Sequence, residues 1–199
     1  NNKLILQDSL VLGKPWPKRI GPAGIALHPT QPLLYVATRD DSALYVMHTQ
    51  TRKTIKRIPL GGEAYTCLLS PDGLKLFVSV WGADHISVIN TNDYQEAVRL
   101  PVGDNPNEMV LTRDGKWLYV CNANDNSVSV INTLAMQTKE VLNTALYPNA
   151  PAGSTANALT LSPDEKTLFV ANADNNCLAV FDVAKKGFSE SEGFIPTGW

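Results

Sequence analysis

The chain has 199 residues, 44% hydrophobic and 18% charged, with 13 Gly and 13 Pro, which supplies a core and too little charge for a disordered tail. Its 17 Lys and Arg against 19 Asp and Glu leave a formal charge of -2, so the broad positive field that holds a phosphate backbone is missing and nucleic acid is not an expected partner. No apolar run approaches the roughly 18 residues of a membrane-spanning helix, so no membrane insertion is expected, and the first residues lack the features of a secretory signal.

Taken in chain order, KLILQDSLVL near the start reads as an outer fourth strand with no inner three before it, so residues 1–18 are expected to form an orphan strand and its link. From residue 19 the chain repeats itself. LHPTQPLLYVAT, LSPDGLKLFVSV, LTRDGKWLYVCN and LSPDEKTLFVAN superpose, with turn residues His28, Ser70, Thr112 and Ser162 spaced 42, 42 and 50 residues apart. Tyr35, Phe77, Tyr119 and Phe169 share one slot, and Val36, Val78, Val120 and Val170 the next. Val46, Val88, Val130 and Val180 recur ten residues after that.

Inside one repeat, NEMVLT, WLYVCN and SVSVINT are short β-branched or aromatic runs divided by the turn sequences RDG and ANDN, and a more polar run such as QTKEVLN follows. Four strands in about 42 residues make a propeller blade. Helical repeats are excluded because Gly, Pro and Asn interrupt every stretch that could carry a 3.6-residue period. The predicted fold is all-β, a β-propeller of four-stranded antiparallel blades with about four blades present, the repeats spanning about 19–60, 61–102, 103–154 and 155–199. In the Ser-Pro-Asp-Gly turn, Pro71 presets the backbone, Asp72 bonds to nearby N–H groups and Gly73 accepts positive φ. Asp72, Asp114 and Asp164 are therefore hairpin residues and not catalytic acids or metal ligands.

LYVCNANDNSVSVINT and LFVANADNNCLAVFDV resemble the YVTN-type propeller repeat, in which a Tyr-Val-x-Asn strand end precedes a polar turn and a Ser-Val-x-Val-Ile strand. With GEAYTCLLSPD, VGDNPNEM, TALYPNAPAGST and GFIPTGW, the wording is similar to the N-terminal propeller of bacterial proteins that join a propeller to an alkaline-phosphatase-like phosphoesterase domain. That resemblance implies a ring of seven blades, a periplasmic or extracellular location, and metal chemistry confined to a C-terminal phosphoesterase partner domain. It carries no catalytic residue onto these positions. The first two repeats have Ala37-Thr38-Arg39 and Ser79-Val80-Trp81 where the family's strand end prefers Asn, so a ring of identical Asn side chains is not expected.

GFIPTGW is in phase with RLPVGDNP and RIPLGGEA, the segments that lead into a new inner strand. Four blades of an incomplete ring is the favoured expectation, and a closed four-bladed ring with residues 1–18 packed outside is the competing one, with Trp16 and Trp199 near cut edges in the first case.

In an antiparallel blade the turn after strand two and the link out of strand four lie on one face. The third link carries an eight-residue excess there, and such insertions tend to mark a binding face. Tyr147 and Asn149 are its most recognisable candidate contacts. Around the central channel, Ala23, Tyr65, Asn107 and Asn157 are equivalent yet differ from blade to blade, unlike positions set by packing. Glu63, Tyr65, Asn107, Glu108 and Asn157 are thus candidates to line a polar pocket, joined by Arg39 and Trp81, which no turn geometry demands. His28, His48 and His85 occupy different repeat positions, so no metal ring is expected and all three read as surface or turn residues. Cys67 and Cys121 read as core, and Cys177 as exposed.

No nucleophile elbow, HExxH or phosphate-binding Gly loop is present, and no cofactor is implied. The favoured function is a noncatalytic binding or scaffold module holding a small ligand or protein on the link-bearing face. The alternatives are a propeller enzyme of the lactone-hydrolase or metal-dependent hydrolase type with its site at the channel, using residues such as Glu63, Asn107 and Asn157, and a surface-layer structural protein.

Overall fold

Each repeat's four β-rich runs pair in chain order, because the intervening turns are short and let every strand reverse onto its predecessor. The computed structural model describes residues 9–13, 19–147 and 149–198. The first blade contains β1 (Pro22–Leu27), β2 (Leu33–Thr38), β3 (Ala43–His48) and β4 (Lys53–Pro59). The second contains β5 (Ala64–Leu69), β6 (Lys75–Val80), β7 (His85–Asn90) and β8 (Glu96–Pro101). The third is β9 (Pro106–Leu111), β10 (Trp117–Asn122), β11 (Ser127–Asn132) and β12 (Gln137–Asn143), and the fourth β13 (Ala156–Leu161), β14 (Thr167–Asn172), β15 (Cys177–Asp182) and β16 (Glu190–Pro196). These are four separate four-stranded antiparallel sheets, as the repeat predicts.

In the second and third blades the second and third strands are buried on both faces, because each of these blades is a slice pressed between two others. The forward face of the first blade, with Tyr35, Ala37, Leu44 and Val46, packs on Cys67, Leu76 and Val78 of the second. Phe77, Ile86 and Val88 pack likewise on Met109, Leu118 and Val120, and Tyr119, Cys121 and Val130 on Leu168 and Val170. Tyr35, Phe77 and Tyr119 are fully buried, whereas Phe169 in the same slot is half-exposed. Ile58, Leu100 and Leu142 are buried, and Ile195 is 48% exposed. The forward face of the fourth blade is thus the same surface without the blade that covers it elsewhere.

The backward face of the first blade is covered differently. Leu10, Leu12 and Ile20 pack against Val36, Ala43, Tyr45 and Met47. Residues 1–8 of the expected orphan strand lie outside the described residues, as do Trp16 and Trp199, and residues 9–13 form no strand. Even so, Leu10 and Leu12 occupy the place that Ile58 and Leu60 fill between the first two blades. Innermost strands pack side by side from β1 to β5, β5 to β9 and β9 to β13, and β13 has no comparable contact with β1. The four blades form an open arc, not a closed four-bladed ring.

The turn aspartates do what the turn chemistry requires. Ser70 Oγ donates to Asp72 Oδ1 at 2.5 Å and Leu74 N–H at 3.0 Å, with Gly73 at φ 73°; these bonds hold the Asp72 carboxyl below its usual range. Asp114 and Asp164 repeat the arrangement with Thr112 and Ser162. His28 Nδ1 accepts from the N–H groups of Thr30 and Gln31, and His48 Nδ1 from Thr51, as turn residues.

Two expectations fail. His85 is buried, its Nδ1 2.8 Å from the Ala83 carbonyl and its Nε2 3.3 Å from Ser87 Oγ, because it opens β7 on the face that meets the first blade. Cys177 is also buried, since it pairs with Asn172 on the inward face of its sheet.

Candidate functional site

The innermost strand of every blade carries a β-bulge at the same slot. Opposite the end of the second strand, one extra residue is accommodated at Ala23 in β1, at Tyr65–Thr66 in β5, at Asn107–Glu108 in β9 and at Asn157 in β13. A bulge bends its strand and re-aims side chains that the pleat would otherwise bury. The candidates Tyr65, Asn107, Glu108 and Asn157 all sit on these bulges, so their divergence from blade to blade has a structural setting. Two of the bulges are held locally: Thr66 N–H donates to Ser79 Oγ at 3.0 Å, and Glu108 N–H to Asn107 Oδ1 at 2.7 Å. The approach is close enough that a Cβ on Gly24 would lie 2.5 Å from Thr66 Cα, so β1 and β5 meet there only because residue 24 is glycine.

Asn107 and Asn157 are brought together across two blades. Asn107 is 2% exposed, and its Nδ2 donates to Asn157 Oδ1 at 3.1 Å and to the Ala156 carbonyl at 3.3 Å. With its oxygen committed to Asn107, Asn157 turns its own amide N–H₂ away, and its side chain is exposed. The neighbouring Glu108 is half-buried, with Oε1 3.4 Å from Met109 N–H. Its charge is felt in its own blade and in the preceding one: burial pushes the Cys67 thiol up to about 12 and raises that of Cys121, and Glu108 adds to each shift. Both cysteines are buried as the sequence predicts.

Arg39 and Glu63 meet on the link-bearing face, Nε to Oε2 at 3.7 Å, both largely exposed, a pair worth at most about 1 kcal/mol. Trp81 opens a short 3-10 turn (Trp81–Ala83) and is 37% exposed, with its carbonyl accepting from Asn105 Nδ2 at 2.9 Å. Tyr65 is half-buried. Tyr147 stands apart on the long third link, lining a recess of about 140 Å³ with Ser154 and Asn175.

Two features carry no signal in the sequence. Asn126, buried and at φ 47°, pins the long link by donating to the Pro151 carbonyl and accepting from Gly153 and Ser154 N–H. On its other side that link encloses an open recess of about 440 Å³ with Asp125, Asn143 and Asn149 in its wall. The second is Asp41, beside Arg39. Burial alone would raise its carboxyl, but hydrogen bonds from Thr38, Tyr45 and Arg57, with the Arg57 charge, outweigh this and hold it below its usual value. A carboxyl depressed on folding stabilises fully above its unfolded pKa of about 3.9 and loses that contribution as pH falls through the lower folded value. Asp41→Asn is therefore expected to lower the urea midpoint at pH 7 and to lose most of that difference by pH 2, and an effect independent of pH would contradict the assignment.

Among the described residues no group of three or more His, Cys, Asp or Glu side chains is placed to hold a metal ion, and no helix is long and apolar enough to cross a membrane.

Four-bladed arc and bulged inner strands together define a β-propeller with polar groups at its axis. The family described as "Lactonase, 7-bladed beta-propeller" matches residues 63–198, and the chain belongs to that family. A search of curated proteins gives no match. Among solved structures, a chain of the Kuenenia stuttgartiensis hydrazine synthase is 22% identical with a TM-score of 0.71, covering 93% of this chain and 53% of its own. A protein from Lactobacillus plantarum is 23% identical with a TM-score of 0.78, over 88% and 57%. A functionally unknown protein from Desulfotomaculum acetoxidans is 17% identical with a TM-score of 0.70, over 87% and 55%. At these identities the likeness is one of fold. The chain spans little more than half the length of each structure.

The family membership corrects one expectation. The noncatalytic binding or scaffold module gives way to the alternative, a propeller of the lactonase type. Missing hydrolase motifs say little about a fold whose polar groups come from different blades.

Proposed function

We propose that this chain contributes to a propeller lactonase that opens a cyclic ester at the channel mouth on the link-bearing face. The lactonase family match over residues 63–198 carries the reading, and the bulges at one slot of all four inner strands support its location. Glu108 acts as general base, taking a proton from the water that attacks the lactone carbonyl. The Asn157 amide N–H donates to the oxyanion that forms, and Asn107 is a positioning residue that fixes the orientation of that amide. Collapse of the tetrahedral intermediate breaks the ring C–O bond, and the departing alkoxide takes back the proton that Glu108 removed from the water, becoming a hydroxyl and restoring the carboxylate. Tyr65 and Trp81 flank the site as aromatic surface, and Arg39 with Glu63 closes its rim.

The test is direct: the full chain, mixed with unsubstituted five- and six-membered lactones in a pH-stat, should release acid faster than the uncatalysed reaction. Rates equal to the blank across both ring sizes would overturn the proposal. From the strand-end wording we also propose that the repeats are of the YVTN type, in an exported protein whose polypeptide includes a phosphoesterase domain. Cell fractionation and the coding sequence after Trp199 check those two points.

A further inference from the structure

One slot on the backward face of each blade, between the outermost strand and the third, is filled differently in every repeat. The register pairs Tyr45 with Arg57, Ser87 with Arg99, Ser129 with Val141 and Ala179 with Phe194. In the first blade Arg57 fills the slot. Its Nε donates to Asp41 Oδ2 at 3.2 Å and its Nη2 to the Asp41 carbonyl at 2.8 Å, with the guanidinium 5.8 Å from the centre of the Tyr45 ring. In the second blade Arg99 fills it, Nε lying 2.9 Å from both carboxylate oxygens of Glu96. In the fourth, Phe194 packs into the core.

The third blade has the carboxylate without the cation. Asp125 is the counterpart of Asp41 two repeats further on, but Val141 and Ser129 stand where Arg57 and Tyr45 do. The smaller side chains leave open the recess of about 440 Å³, walled by Asp125, Ser127, Val141 and Asn143 and by Asn149 of the long link, a size that suits a small ligand. Asn143 Oδ1 accepts from Ala145 N–H at 2.8 Å, which ties that link to the outermost strand. Asp125 Oδ2 accepts from Asp104 N–H at 2.6 Å, leaving a carboxylate oxygen and the main-chain carbonyl as acceptors, the pair that Arg57 engages on Asp41. Val141 is 61% exposed, an apolar wall for the carbon stem of a cation. Among the described residues no Lys or Arg lines the recess. The second and fourth blades flank the third on either side, so these are the surroundings of a blade inside the stack and not of one at its open end.

We infer that the third-blade recess binds a small organic cation, a guanidinium on a short aliphatic stem, whose head sits beside Asp125 as Arg57 sits beside Asp41. The recess lies at the outermost strand, apart from the bulges of the innermost, and the inference is independent of the lactonase reading. A guanidinium suits it better than an ammonium, because two N–H groups in one plane reach the carboxylate and the carbonyl together. Propylguanidinium is the probe, titrated into the full chain by calorimetry, with propylammonium and the neutral propylurea as comparisons. One equivalent should bind, about tenfold or more tighter than propylammonium, and propylurea should bind more weakly still. Asp125→Asn should weaken propylguanidinium by about tenfold or more. Val141→Arg, which supplies the guanidinium from the chain as the first blade does, should abolish binding with the urea midpoint at or above that of the wild type, so lost binding is not lost fold. Absence of binding at millimolar propylguanidinium, affinity that survives both substitutions, or propylammonium or propylurea bound equally well overturns the inference.

Discussion

Phe77→Ala should lower the free energy of unfolding by about 3–5 kcal/mol, and Phe169→Ala, at the same repeat position, by about 1–2 kcal/mol. Phe77 is fully buried between the second and third blades among Ile86, Val88, Leu118 and Val120, so its removal leaves a cavity that four strands cannot collapse around. Phe169 is half-exposed because, among the described residues, nothing stacks on the forward face of the fourth blade, and water fills the space left by its ring. Urea unfolding of the two variants measures the difference. Equal costs would show that the forward face of the fourth blade is covered in solution, and hence that the arc closes on a partner surface.

That contrast explains why the fold was so legible in the sequence. The repeat slots Tyr35, Phe77, Tyr119 and Phe169 are set by blade-on-blade packing, which is the same physical demand four times over. Turn residues repeat for an equally local reason, since Asp72, Asp114 and Asp164 each bond within their own hairpin. Where a residue's surroundings depend on another blade, the pattern fails. His85 aligns with Ala43, Ser127 and Cys177, a slot that looks indifferent along the chain, yet all four are buried because it lies on the backward face, which meets the preceding blade or, in the first blade, Leu10 and Leu12. Period alone does not reveal which face of a strand another sheet will cover.

The site was legible in part, and for the opposite reason. Tyr65, Asn107 and Asn157 stood out as residues that break the repeat, and the structure puts them on one recurring bulge. The bulge itself left no mark, because an extra residue in one strand alters pairing without changing repeat length: β1 and β13 begin their turns in the same phase as β5 and β9. The contact between Asn107 and Asn157 spans 50 positions and could not be read from either residue. Tyr147 drew attention because its link is long, and in the structure it lines a recess on that link with Ser154 and Asn175. Missing hydrolase motifs misled for a related reason: such motifs describe local turns, and the groups proposed here are assembled from separate blades.

The largest effect on activity should come from Glu108→Gln. If Glu108 takes the proton from attacking water, the amide cannot replace it, and kcat should fall by about 10²- to 10⁴-fold. The acid limb of the pH–rate profile should flatten with it, because the wild-type base works only when ionised. Loss of the charge also relieves Cys67 and Cys121 of its influence, so their slow reaction with a thiol reagent should quicken slightly while the fold persists, which separates lost chemistry from lost structure. Asn157→Ala removes an oxyanion donor and should lower kcat by about 10²-fold with little change in KM. Asn107→Asp keeps an acceptor but removes the donor that orients Asn157, so it should reproduce much of the Asn157→Ala loss although Asn107 touches no substrate. A Glu108→Gln variant with undiminished kcat would move the base to Glu63, the other candidate carboxylate on this face. That carboxylate is held at 3.7 Å by Arg39, so Arg39→Ala would then change the pH–rate profile, and under the Glu108 assignment it should not.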